Sequence, residues 1–125
     1  MEAILRTGEQ TFTLITGAAQ TQRDAHWIAR HTKAGDHVSI TDVTSDWNVI
    51  ALMGPYSRAV LESVSATDLS NTKFPYLAHR ELDIGYVRVR AVRITYVGEL
   101  GWELYVPSEM TGHVYELLMA AGKDS

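Results

Sequence analysis

The chain has 125 residues, 46% of them hydrophobic and 21% charged, which suits one compact domain with a single core and excludes an unfolded, highly charged tail. It contains no cysteine, so a disulfide framework, a thiolate nucleophile and sulfur-built zinc or iron–sulfur sites are excluded. Eleven Lys and Arg against fifteen Asp and Glu leave a net charge of −4, which argues against nucleic acid as a partner.

The apolar runs are short. Val49 to Met53 is typical, and nothing approaches the ~20 residues needed to span a bilayer, so no membrane-embedded part is expected. The opening Met1 to Arg6 has neither a basic leader nor a secretory apolar core, which predicts an aqueous, reducing compartment.

In chain order, Thr11 to Thr16 alternates polar and apolar residues up to Gly17, predicting a half-buried strand. Residues 19–31 lack Gly and Pro and place Ala25, Ile28 and Ala29 at helical spacing beside Trp27, predicting an amphipathic helix stopped by Gly35. Val38 to Val43 alternates again, as does Trp47 to Met53. With the polar turn Thr44-Ser45-Asp46 between them, the two runs predict an antiparallel hairpin. Gly54-Pro55 ends that strand and opens a helix carrying Ala59, Val60 and Val64, because proline suits the first helical position. The order β-α-β-β-α predicts an α+β fold, a ferredoxin-like antiparallel sheet with helices packed on one face.

Ser63 to Pro75 reads as a loop. After Gly85 the apolar positions are 87 and 89, then 92, 94 and 96; this change of phase predicts a β-bulge near Ala91 or two separate strands. Gly98-Glu99-Leu100-Gly101 reads as a tight connection into the strand Trp102 to Val106, making a second hairpin. Pro107-Ser108-Glu109 then introduces a last helix with Val114, Leu117 and Leu118, ending near Gly122.

The segment Arg93 to Glu103 carries the most chemistry. It sets Glu99 and Glu103 four apart around a glycine-bounded turn, where the backbone can approach a ligand closely. In the following strand Trp102 and Leu104 face one way and Glu103 the other. Two readings of Glu103 follow. It pairs across the sheet with Arg88, Arg90 or Arg93, or it accepts two parallel N–H bonds from a flat heterocycle with adjacent ring N–H and amino groups, as a pterin offers. The five histidines show no metal-ligand spacing, so no metal site is expected. Gly-x-Ser-x-Gly, Gly-x-Gly-x-x-Gly and the P-loop are absent, which removes the usual routes to ester hydrolysis and to binding flavin, NAD or nucleotide within this chain.

Thr95-Tyr96-Val97-Gly98-Glu99-Leu100-Gly101-Trp102-Glu103-Leu104 resembles the signature of the folate-binding domains of glycine-cleavage T-protein, the aminomethyltransferases. Phe12 to Gln20, then Asp24, Trp27 and His31, Met53 to Arg58, and Asp68 to Asn71 are similar to the C-terminal module of sarcosine and dimethylglycine dehydrogenases, so the likeness runs across nearly the whole chain. The resemblance implies a fragment of the T-protein folate-binding fold that holds tetrahydrofolate. That cofactor captures the one-carbon unit of an oxidised N-methyl amine as 5,10-methylenetetrahydrofolate. By position, Glu103 would hold the pterin edge, Tyr96 would contact the folate, Arg93 would support the site and Glu99 would lie in the turn beside them. This favours the ligand reading of Glu103.

The family's catalytic Asp lies at or before the start of this chain; Glu2 sits close but does not match the motif, so no catalytic residue is assigned. The resemblance further implies a flavin (FAD) dehydrogenase domain in the parent protein as a partner, and a cytoplasmic location, or the mitochondrial matrix in a eukaryote. It also allows a regulatory or scaffolding module with the same fold. Exposed sheet edges in a partial module predict self-association.

Overall fold

The computed structural model describes residues 3–123. The chain falls into two compact units, 1–42 and 43–125.

In the first unit, β1 (Ala3–Arg6) and β2 (Phe12–Ile15) pair antiparallel, Arg6 opposite Phe12 and Ala3 opposite Ile15. The backbone N–H groups of Thr7 and Gly8 both donate to the Thr11 carbonyl, and Arg6 Nη2 donates to the Glu9 carbonyl at 2.6 Å, which closes the connection. A 3₁₀ turn at Ala18–Gln20 leads into α1 (Thr21–His31), as expected from the Gly- and Pro-free stretch. The helix ends at His31, whose ring stacks on Trp27 at 4.0 Å and whose Nδ1 bonds the Trp27 carbonyl at 2.7 Å. Gly35, at φ +99, lies in the turn that follows.

Residues 38–43 do not form the expected strand, so the first predicted hairpin is absent. Alternation makes a strand only where a partner supplies the ladder, and the strand after it, β3 (Trp47–Met53), gives its pairing to β6 (Gly101–Pro107), in register from Trp47 opposite Pro107 to Met53 opposite Gly101.

The second unit is built on a four-stranded antiparallel sheet in the order β3-β6-β5-β4, where β4 is His79–Ile84 and β5 is Val87–Val92. β4 was not visible in the sequence. Only Leu82 and Ile84 mark its inner face, among Arg80, Glu81 and Asp83. Gly85 takes φ +58 in the two-residue turn to β5, a conformation that favours glycine, and a Cβ there would stand 2.8 Å from His113 Nε2 and 2.9 Å from Leu117 Cδ1, so those two side-chain ends would have to shift to admit one.

β5 contains no bulge. Its pairing with β4 runs unbroken through Val92, and the change of phase marks the point where the chain leaves the sheet. There the Ile94 N–H donates to the Val92 carbonyl at 2.9 Å, a γ-turn that diverts the backbone. β5 and β6 do pair antiparallel, Val92 opposite Glu103, but the connection is the loop 93–100 instead of a tight turn.

α2 (Ser57–Val64) and α3 (Thr111–Ala121) pack on the same face of this sheet, as the α+β reading expects. Pro55 lies in the turn before α2, two residues short of the expected first helical position. Val60, Leu61, Val114 and Leu118 from the helices meet Leu82, Ile84, Val87, Val89, Ala91, Trp102, Leu104 and Val106 from the strands, with Leu69 and Phe74 of the intervening loop closing the core. Period-two alternation places Glu103 and Tyr105 of β6 on the opposite face of the sheet.

Candidate functional site

The site is organised by loop 93–100 where it meets the start of α2. Gly54, at φ +116, donates its N–H to the Leu100 carbonyl at 2.8 Å, and Ser57 Oγ donates to the same oxygen at 3.2 Å. These two bonds pin the loop beside β3. A Cβ on Gly101 would lie 2.8 Å from the Leu52 carbonyl oxygen, so the glycine is what lets β6 begin in contact with β3.

Below the loop opens a cleft of about 460 Å³ lined by Tyr76, Arg93, Thr95 and residues 98–101. Next to Tyr76, Leu77 is a non-glycine residue at φ 67 whose N–H donates to the Arg93 carbonyl at 2.9 Å. The structure therefore brings Arg93 and Glu99 together on one cleft. Glu99 has no hydrogen bond or ion pair to any described residue, and one of its carboxylate oxygens lies 3.7 Å from where a Cβ on Gly54 would be. Tyr96 and Val97 are exposed on the same loop, Tyr96 outside the cleft lining.

Glu103 lies on the other side of β6, between Ala51 of β3 and Val92 of β5. Its Oε2 accepts a 2.6 Å bond from the Tyr105 hydroxyl, two residues on along the same face. Burial first, then the bond to Glu103 and that residue's charge, push the Tyr105 phenol well above its ordinary value, so it stays a donor at neutral pH. The cross-strand ion pair expected as one reading of Glu103 does not form. Arg88 is taken by Asp83 at 2.7 Å, Arg90 by Glu81 at 2.8 Å, and Arg93 donates to the Phe74 carbonyl at 2.7 Å. One carboxylate on a largely apolar row thus keeps free acceptor capacity, since Tyr105 uses one of about four lone-pair positions.

On the core side, Arg93 and Arg58 of α2 each place a guanidinium 5.8 Å from the ring centre of the fully buried Trp102. Burial, and to a lesser extent the charge of Arg58, lowers the Arg93 guanidinium below its ordinary value. Sequence reasoning singled out Arg93 but not Arg58, Tyr76 or Tyr105. The signal for Tyr105 was present, as it shares the period-two face of Glu103, whereas Tyr76 and Arg58 come together with the loop only through the fold. Glu2 lies outside the described residues. Among the described residues no helix is long and apolar enough to cross a membrane, and no group of three His, Asp or Glu is placed to hold a metal ion.

A four-stranded antiparallel sheet that carries its helices on one face, with a glycine-pinned loop over a cleft and a carboxylate on the opposite face, defines a class. The family model for the GCVT N-terminal domain matches residues 3–125, and the chain belongs to that family. Among its relatives, the mitochondrial dimethylglycine dehydrogenase of Mus musculus is 39% identical over 114 residues, covering 90% of this chain and 13% of that protein. The mitochondrial sarcosine dehydrogenase of Homo sapiens is 36% identical over 115 residues, covering 92% of this chain and 12% of that protein. An aminomethyltransferase of Listeria monocytogenes is 33% identical over 119 residues, 95% of this chain and 32% of that protein. The chain therefore spans about an eighth of the dehydrogenases' length and a third of the aminomethyltransferase's. A solved structure of the heterotetrameric sarcosine oxidase from Corynebacterium sp. U-96, in complex with pyrrole 2-carboxylate, shares the fold with TM-score 0.76 at 22% identity, over 96% of this chain and 58% of that one.

Proposed function

We propose that this chain is a tetrahydrofolate-binding module, with Glu103 as the pterin-recognising carboxylate. The observation that supports it most is the state of Glu103 itself. It is partly buried on the sheet face, bonded only by a phenol, and has no arginine partner among the described residues. Such a group calls for neutral N–H donors, and the adjacent ring N–H and amino group of a pterin present two in parallel. Ala51 and Val92 flank it with the small, apolar surface that a flat ring requires.

The remaining residues take roles in keeping with their places. Tyr105 fixes the rotamer of Glu103 through the 2.6 Å bond. Tyr96 and Val97, exposed on the loop, supply contact area to the rest of the folate. Arg93 and Glu99 line the cleft beneath that loop, Arg93 supporting the site and Glu99 lying in its turn. When bound there, tetrahydrofolate would supply the two nitrogens on which a one-carbon unit is carried as 5,10-methylenetetrahydrofolate. The relatives' names, mitochondrial dehydrogenases of dimethylglycine and sarcosine, support N-methyl amines as the source of that unit. In this reading their oxidation falls to a flavin (FAD) domain elsewhere in a larger protein, in the mitochondrial matrix or the cytoplasm.

Saturation-transfer NMR with reduced folate under anaerobic conditions tests this reading. The expected result is strongest transfer to the pterin protons and loss of that transfer in Glu103→Gln. Transfer confined to the benzoyl ring, or unchanged by the substitution, would contradict it.

A further inference from the structure

Around Trp102 the structure gathers hydrogen-bond donors without an acceptor to match them. Arg58 reaches over the indole from α2 and Arg93 from the first position after β5, each with its guanidinium carbon 5.8 Å from the ring centre. Arg58 spends one Nη2 bond on the Asn71 side-chain oxygen at 2.7 Å, and Arg93 one Nη1 bond on the Phe74 carbonyl at 2.7 Å. Neither makes an ion pair with a described carboxylate, whereas Arg88 and Arg90 of β5 pair with Asp83 and Glu81 of β4. Arg58 Nε and Trp102 Nε1 are buried and have no hydrogen-bond partner among the described residues.

Two like charges held over one aromatic ring, with two buried N–H groups left over, are a costly arrangement unless an anion completes it. The indole faces offset part of the charge burial, but a ring offers no oxygen to Nε. Asn71 and Phe74 supply neutral oxygens only. The depressed guanidinium of Arg93, caused by burial and by Arg58, agrees with a pair that lacks its counter-charge. Arg93 also lines the 460 Å³ cleft, which gives solutes a way in.

We propose that Arg58 and Arg93, with the Trp102 indole between them, form a binding site for one oxyanion, a carboxylate or an ion of the same fork geometry such as sulfate. The planar guanidinium presents parallel N–H bonds to two oxygens of such a group, and the buried Nε of Arg58 supplies one of them. The oxyanion is either the carboxylate of a small ligand or a side-chain carboxylate of another protein segment. Its anion-binding groups are distinct from Glu103, which emerges on the opposite face of β6; Arg93 is shared with the proposed folate site, but sulfate binding at the Arg58–Arg93 pair does not require a pterin on Glu103.

The test is a sodium sulfate titration at constant ionic strength, balanced with chloride, read by NMR at the arginine Nε–H resonances of the full chain. Wild type is expected to show saturable shifts at Arg58 and Arg93. Arg58→Lys, which keeps the charge but removes the fork, is expected to weaken the sulfate affinity about tenfold, and Arg58→Gln to abolish saturation. Arg88→Gln removes an equal charge at a residue already paired with Asp83 and is expected to leave the titration unchanged. Shifts that fail to saturate in wild type, or that respond equally to Arg58→Lys and Arg88→Gln, would overturn the proposal. A competition arm names the source. Displacement of sulfate by tetrahydrofolate but not by tetrahydropterin, which lacks the glutamate, assigns the site to a ligand carboxylate. Displacement by neither, with acetate still competing, assigns it to a protein carboxylate.

Discussion

The Tyr105 hydroxyl donates to Glu103 Oε2 at 2.6 Å along one face of β6, so a buried phenol fixes the orientation of the carboxylate that the site depends on. The two residues are related by strand geometry alone, two positions apart, which makes the bond a product of the period-two face. Tyr105→Phe keeps the ring and removes the donor. The expected loss is about 1.5–3 kcal/mol in denaturant unfolding, the range for a hydrogen bond to a charged group, together with weaker folate binding from a carboxylate free to rotate. A variant as stable as wild type would show that the bond carries no weight.

The same pair gives a pH dependence with a definite sign. The Tyr105 phenol is held above its ordinary value of 10.0, first by burial and then by Glu103. Above that pH the unfolded chain loses the phenolic proton while the folded chain keeps it. The stability contribution is therefore fully present below about pH 10 and is lost as pH rises beyond it, at up to about 1.4 kcal/mol per pH unit. Urea midpoints measured on either side of that pH should fall in wild type and fall less in Tyr105→Phe. Equal slopes in the two proteins would contradict the assignment.

Gly98 in the loop and Gly101 at the start of β6 separate conformational need from steric need. Gly101→Ala would put its Cβ 2.8 Å from the Leu52 carbonyl, a backbone atom that yields only if β3 moves, and is expected to cost about 1–3 kcal/mol. Gly98, at φ +82, has nothing within 4 Å of such a Cβ, so Gly98→Ala is expected to cost only the left-handed strain, about 1–2 kcal/mol, and to leave the β3–β6 register intact. Amide exchange at Val49 to Met53 distinguishes them: faster in Gly101→Ala and unchanged in Gly98→Ala.

Leu104 is fully buried between the sheet and its helices, whereas Val49 faces outward on the neighbouring strand. Leu104→Ala is expected to destabilise the fold by about 2–5 kcal/mol, because it combines lost burial with a cavity. Val49→Ala should remain within about 0.5 kcal/mol of wild type by the same thermal or denaturant measurement.

Alternation and glycine placement were enough to read β2, β3 and β6, and helical spacing enough for α1, α2 and α3, because each of those elements carries its apolar face in its own sequence. Where a strand depends on its partner, the sequence was misleading. Residues 38–43 alternate as well as β3 does yet form no strand, while β4 pairs fully with only Leu82 and Ile84 to mark it. The phase change after Ala91 was visible, but its cause is a γ-turn at Val92 that moves the chain off the sheet, and bulge and turn leave the same trace in a linear pattern. At the site, Glu103 and Glu99 were legible from the glycine-bounded motif. Arg58 was not, since α2 brings it to Trp102 across a separation no local periodicity encodes.

The central claim, that Glu103 recognises a reduced pterin, is tested most directly by anaerobic calorimetric titration of the chain with tetrahydrofolate, beside Glu103→Gln. The substitution keeps the shape of the side chain and removes its charge. The account predicts saturable binding by wild type and at least about a tenfold weaker affinity in the variant, the difference between charged and neutral acceptors for two N–H donors. A folded wild-type chain that takes up no tetrahydrofolate, or a variant that binds it equally well, would contradict the claim.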